Sequence, residues 1–134
     1  AYLYNAEITP RIISSQVRHI DFMPTILEML DIPINTSFEK LDGKSLMPII
    51  NGQNISEEFA FSETGNPLNE KAPPKTPNTK SIRNSKWKLI HNEHNNTKEL
   101  YDLQNDPSEE NNLIGENFEI EKELSKELLN HTNE

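Results

Sequence analysis

The chain predicts an α/β protein: an early strand leading into a helix, then a small antiparallel sheet packed with a C-terminal helix. Three patterns carry that expectation. Phe22, Ile26, Met29 and Leu30 recur at helical spacing, Phe59 and Phe61 open a stretch in which strand-like runs alternate with turn residues, and Ile120, Leu124 and Leu128 return to helical spacing near the end.

Taken in order, Ile12, Ile13, Val17 and Ile20 fit a short buried strand running into Asp21. Asp21 then reads as a helix N-cap whose carboxylate accepts main-chain N–H groups. Pro24 falls in the first turn, where no intrahelical N–H is forfeited. The helix turns its apolar stripe toward a core and ends near Asp31, because Pro33 disfavours helical geometry in the residue before it. Residues 35–42 read as a polar loop, Gly43 as a tight turn, and Leu46, Met47, Ile49 and Ile50 as a short helix or buried turn closing at Asn51 and Gly52. A strand with one buried face is expected around Phe59 and Phe61. Residues 64–80 carry four prolines and read as a mobile loop. Two further strands, 81–91 and 98–103, flank the turn-rich residues 92–97 and complete the sheet. The last helix spans 118–130, with Ile120, Leu124 and Leu128 on one face and Glu and Lys outside.

Composition narrows the function classes. Of 134 residues only 33% are apolar, a thin supply for a self-sufficient core. The chain opens at Ala1 without an initiating methionine, which reads as a processed or truncated chain. The net charge is −9, and residues 102–134 carry ten acidic residues against Lys122 and Lys126, so nucleic acid and anionic lipid are disfavoured as partners. There is no cysteine, hence no disulfide framework and no thiolate metal site. No apolar run reaches the roughly 18 to 20 residues of a membrane span, and residues 1–20 lack a signal-peptide pattern. The residues assign no compartment.

Several residue groups invite a chemical reading, and each has a plainer one. His19 and Asp21 are ligand types on one face of the expected strand, yet helix capping already accounts for Asp21. His91, Glu93 and His94 lie in an expected turn with no further ligand close in sequence. Lys86, Trp87 and Lys88, next to Arg83, interleave an aromatic ring with cations as single-strand nucleic-acid binders do. The acidic surroundings favour a strand with Trp87 on its core side. In the run from Tyr101 to Asn112, Asn105, Asp106 and Pro107 are turn chemistry, because Asn and Asp side chains bond back to the main chain and proline presets φ.

Three ordered blocks then suggest a family: His19-Ile-Asp-Phe-Met-Pro-Thr-Ile-Leu-Glu-Met-Leu30, Leu41-Asp-Gly-Lys-Ser-Leu-Met-Pro-Ile-Ile50, and Glu99-Leu-Tyr-Asp-Leu-Gln-Asn-Asp-Pro-Ser-Glu-Glu-Asn-Asn-Leu113. Together the blocks resemble the C-terminal portion of the sulfatases, arylsulfatase-like members of the alkaline phosphatase superfamily. The resemblance marks Asp21, Pro24, Thr25, Gly43, Ser45, Tyr101, Asp102, Asn105, Asp106, Pro107 and Asn112 as a structural signature. It implies the alkaline-phosphatase-like α/β fold, with residues 1–56 as the last strand and helix of the catalytic domain and 57–134 as the C-terminal subdomain.

The same resemblance implies a sulfuric ester hydrolase as the full-length parent, acting on a sulfate ester through a formylglycine nucleophile and calcium. Its Cys-or-Ser-X-Pro-X-Arg segment is not in this sequence. Thr9-Pro10-Arg11 has neither the nucleophile type nor the spacing, so no catalytic or metal residue is assigned and the chain alone is expected to be inactive. Its expected partner is the upstream catalytic domain. Glu63 and Arg83 are the candidates for contacts at the substrate rim. Two alternatives stand: the back end of a phosphoester or phosphonate ester hydrolase of the same superfamily, and a non-catalytic interaction domain derived from it.

Overall fold

The computed structural model describes residues 10–33, 41–64 and 78–132. It divides into two compact units, Ala1–Glu58 and Phe59–Glu134. The expected loop at 64–80 falls largely outside the described residues, as does most of the one at 35–42.

In the first unit a 3-10 turn, His19–Asp21, runs directly into helix α1 (Phe22–Met29), and a single helical turn, α2 (Met47–Ile50), follows. Residues 10–18 form no strand, contrary to the expectation from Ile12 to Ile20. A strand requires a partner ladder, and the described residues of this unit offer none. Helix α1 also departs from its expected orientation. Its buried residues are Pro24 and Thr25, whereas Ile26 and Leu30 of the apolar stripe stay 47% and 63% exposed. The helix ends at Met29 in a turn that places Asp31 at φ 51. Ile49 and Ile50 of α2 are buried, and Gly52 takes φ 86 just beyond the helix. Gly43 serves close approach: a Cβ there would lie 1.9 Å from the carbonyl oxygen of Ile20.

The second unit is a four-stranded antiparallel sheet in the order β1 (Ala60–Thr64), β2 (Thr79–Arg83), β3 (Trp87–Asn92), β4 (Thr97–Asp102), followed by helix α3 (Phe118–Thr132). The stretch expected as one strand from 81 to 91 is a hairpin. Asn84 Oδ1 accepts the N–H groups of Lys86 and Trp87 at 2.9 and 2.7 Å, folding the chain back between β2 and β3. Register sets Phe61, Ile82, Leu89 and Leu100 side by side across the sheet. On this row α3 lays Leu124 and Leu128, with Phe59, Trp87, Leu113, Ile114 and Ile120 around the edge. Burying five such aliphatic side chains contributes roughly 1.5–3 kcal/mol each before entropy is charged. Glu119 and Glu121 in the first turn of α3 and His131 in the last match the helix dipole.

Candidate functional site

Asp21 organises the first unit. Its carboxylate accepts the main-chain N–H of Arg18 at 3.0 Å and the Arg18 guanidinium at 2.8 and 3.1 Å, and it takes the Lys44 N–H at 3.0 Å. The side chain therefore does not cap α1; it reaches back to the 3-10 turn and across to the segment before α2. An N-cap needs extended backbone, and Asp21 is already helical at φ −79, ψ −15, which explains the departure. Burial pushes the Asp21 carboxyl up, but the Arg18 guanidinium and the N–H groups of Lys44 and Arg18 outweigh it and hold the group below the ordinary carboxylate range. Thr25 Oγ1 extends the network, donating to the Asp21 carbonyl at 2.5 Å and accepting the Leu46 N–H at 2.8 Å. Ser45 Oγ accepts the Met47 N–H at 3.2 Å. Arg18 and Lys44 both pair with Glu58.

The run from Tyr101 to Asn112 is a chain of side-chain to main-chain bonds. Asp102 accepts the N–H groups of Gln104 and Asn105, and Asp106 those of Glu110 and Asn111. Pro107 occupies the second position of a turn in which the Glu109 N–H returns to the Asp106 carbonyl at 3.2 Å. Asn112 Oδ1 then accepts the N–H groups of both Leu100 and Ile114 at 3.0 Å, fastening the loop to β4. All these partners are main-chain groups of the same loop or strand, so the chemistry of the run is architectural.

The sheet separates the two rim candidates. Glu63 pairs in register with Lys80 and Arg83 with Ala60, and successive residues of a strand point to opposite faces. Glu63 thus shares the helix-covered face with Phe61. It accepts Asn78 Nδ2 at 2.7 Å and borders a shallow depression of about 160 Å³ beside Lys80, Leu128 and His131, whose ring stacks on Phe61 at 3.8 Å. Arg83 lies on the opposite face, directly across from Lys88, which in turn faces Tyr101. Lys88 Nζ donates to Glu109 at 2.6 Å, and the Tyr101 hydroxyl donates to Glu99 at 2.8 Å. Those bonds keep the Tyr101 phenol protonated: the Glu99 contact first, then burial, push it up to about 12. Lys88 stood out in sequence only as a cation beside Trp87, and its pairing with Glu109 had no signal there, because it spans 21 positions and depends on the hairpin register.

Other candidates resolve structurally. The His19 ring tilts against Phe22 at 5.9 Å, His91 Nε2 lies 3.3 Å from Asn96 Oδ1, and Glu93 pairs with Lys80 at 2.9 Å. Among the described residues no group of three or more His, Cys, Asp or Glu could hold a metal ion. Trp87 packs against the core with Lys86 over its ring at 5.1 Å, the arrangement expected of a core-side tryptophan. No helix among the described residues is long and apolar enough to cross a membrane.

A four-stranded antiparallel sheet with one covering helix, preceded by a helix set in a polar network, is the C-terminal part of an alkaline-phosphatase-like sulfatase fold. Residues 3–134 match the family described as N-sulphoglucosamine sulphohydrolase, C-terminal, and the chain belongs to that family. Among solved structures it is similar to BT4656, solved with its substrate D-glucosamine-2-N,6-O-disulfate, at 26% identity and a TM-score of 0.65 over 84% of this chain and 23% of that one. It is also similar to BT1596, a 2-O GAG sulfatase, at 26% identity and a TM-score of 0.56 over 84% of this chain and 22% of that one. The phosphonate monoester hydrolase SpPMH from Silicibacter pomeroyi shares the fold, with 23% identity and a TM-score of 0.58 over 83% of this chain and 24% of that one. The chain thus spans about a quarter of the length of these relatives. No curated protein matches it.

Proposed function

We propose that this chain is the C-terminal portion of a sulfuric ester hydrolase acting on a sulfated sugar, and that it completes the fold of a catalytic domain lying upstream. The family match over residues 3–134 carries this reading. The sugar class comes from the substrates in the names of two relatives, a disulfated glucosamine and a glycosaminoglycan. On this reading residues 1–56 belong to the end of the catalytic α/β domain and 57–134 form the C-terminal subdomain. On the same reading the nucleophile and calcium belong to the upstream portion, because the Cys-or-Ser-X-Pro-X-Arg segment that the family resemblance implies does not occur in this sequence. This chain alone is inactive.

The first unit supports the upstream partner. Ile20, Met23, Ile26 and Leu30 are 49%, 58%, 47% and 63% exposed, while its buried hydrophobic side chains include only Ile49 and Ile50 among the described residues. An apolar ridge of that kind on a helix marks a surface that another body covers. The occupant in this reading is the catalytic domain of the same polypeptide, consistent with the three quarters of each relative that this chain does not span.

The test is to join the chain to its upstream coding sequence and assay sulfate, phosphate and phosphonate esters side by side, with the isolated chain in parallel. Sulfate release by the joined protein and none by the isolated chain is the expected result. Preference for a phosphonate ester would move the assignment to the hydrolase class of SpPMH. A sharp, monomeric melt of the isolated chain together with no hydrolysis by the joined protein would leave a non-catalytic interaction domain.

A further inference from the structure

We infer that the depression at the β1 edge of the second unit binds an uncharged sugar ring, with the Glu63 carboxylate accepting neighbouring hydroxyl groups and the stacked His131 ring forming the wall. The ligand class rests on the sulfated-sugar reading, and the site selects a ring of such a chain that is free of sulfate.

Every residue that lines the depression is described. The sheet supplies Phe61, Glu63 and Lys80, and the last turns of α3 supply Leu128, His131 and Thr132. Glu63, His131 and Thr132 are exposed, so the mouth opens to solvent. At about 160 Å³ the space is smaller than the roughly 300 to 1,000 Å³ of drug-sized sites and takes a single ring.

Glu63 is aimed and has acceptor capacity to spare. Lys80 stands directly across from it on β2, yet the Lys80 ammonium turns to Glu93 at 2.9 Å, and Glu63 has no ion pair among the described residues. One Glu63 oxygen instead accepts Asn78 Nδ2 at 2.7 Å. Asn78 is itself fixed, its Oδ1 accepting the Thr79 N–H at 3.1 Å and its own N–H donating to Glu93 at 2.9 Å. An ionised carboxylate has about four acceptor sites, so Glu63 can take further donors while Asn78 holds it in place.

The surroundings decide which donors fit. Helix α3 ends at the depression, and the carbonyl end of a helix is negative. The Lys80 charge is matched by Glu93, so the negative end of α3 and Glu63 set the local field. A sulfate or carboxylate is disfavoured there, whereas hydroxyl groups donate to a carboxylate in short, charge-assisted bonds. The wall suits the rest of a sugar. His131 lies on Phe61 with ring centroids 3.8 Å apart and planes at 14°, which gives a flat surface for the C–H face of a pyranose while its hydroxyl edge meets Glu63.

The test is a ligand-observed NMR titration of the chain joined to its upstream portion, with methyl N-acetylglucosaminide and its 3,4-di-O-methyl ether as probes. The ether keeps the ring and loses two hydroxyl donors. Glu63→Gln should raise the Kd of the sugar about tenfold, as loss of a hydrogen bond to a charged group implies. Glu123→Gln, an equal change of charge on an exposed residue of α3 outside the depression, should leave the Kd unchanged. His131→Ala should raise it about threefold. The ether should bind the parent no better than the sugar binds Glu63→Gln. Glu63→Asp, which keeps the carboxylate, should bind better than Glu63→Gln, and that order separates loss of the contact from loss of the fold. No saturable binding to the parent, equal Kd values for Glu63→Gln and Glu123→Gln, or an ether that binds as well as the sugar overturns the inference. Sulfate release is assayed separately and does not enter the titration, so failure of the sulfatase reading and failure of this site are told apart.

Discussion

The carboxylate of Asp21 accepts the main-chain N–H of Lys44, 23 residues further along the chain, while holding the Arg18 guanidinium on its other side. Asp21→Ala should therefore cost more than a surface ion pair, because it leaves a half-buried guanidinium and two main-chain N–H groups without their acceptor. A loss of about 2 to 3 kcal/mol is expected, read from the urea midpoint at neutral pH. Asp21→Asn keeps an acceptor but not the charge, and should lie between the two.

The same residue fixes an acid limit. Its carboxyl is held below the ordinary range in the folded state, so the unfolded chain takes up a proton first as pH falls. Stability from this group is complete above the unfolded value of about 3.9 and disappears as pH drops through the lower folded value. Unfolding midpoints measured downward from about pH 5 should thus converge for the parent and Asp21→Asn. Parallel curves with no convergence would rule out an ionised Asp21 as the source.

Gly43 and Gly115 offer a contrast between space and backbone. A Cβ at Gly43 would meet the Ile20 carbonyl oxygen at 1.9 Å, and main chain cannot swing aside as a side-chain tip can. Gly43→Ala should cost about 3 kcal/mol or prevent the first unit from forming. Gly115 has φ 81 but nothing within 4 Å, so Gly115→Ala should cost only the left-handed penalty, about 1 kcal/mol. Thermal melts of the two variants decide the point, and equal shifts would contradict the geometry.

How much of this was legible beforehand varies by region. Ile120, Leu124 and Leu128 declared the last helix because its apolar face meets a core inside the same unit. The three blocks declared the family because turn residues such as Asp106 and Asn112 bond locally, and local bonding leaves a local sequence mark. The hairpin between β2 and β3 does not stand out because the stretch 81–91 is rich in strand-forming residues at both ends; the polar run Arg83-Asn-Ser-Lys86, with the Asn84 side chain, was the available clue. The orientation of α1 was missed because the stripe Phe22, Ile26, Met29 and Leu30 was assigned to a core within reach. The structure instead buries Thr25 against its polar network and leaves Ile26 outside. Arg83 and Lys88 both stand out in the sequence as cations near Trp87, but their position across from each other and the reach of Glu109 follow from register, which no residue announces singly.

Tyr101 gives the alkaline counterpart of Asp21. Its phenol is pushed up to about 12, first by its bond to Glu99 and then by burial, with the carboxylates of Glu109 and Asp106 adding to the effect. Below the unfolded value of about 10 both states carry the proton and the group makes no pH-dependent contribution. Between about 10 and about 12 the unfolded chain loses the proton while the folded chain keeps it, so stability falls with pH across that window. Tyr101→Phe removes the titration and also leaves Glu99 without its donor. Comparing urea midpoints at about pH 9 and about pH 11 should show a larger alkaline loss for the parent than for Tyr101→Phe, since only the parent carries this proton. An equal loss in both would place the alkaline sensitivity elsewhere and would deny Tyr101 the buried, neutral role that its bond to Glu99 implies.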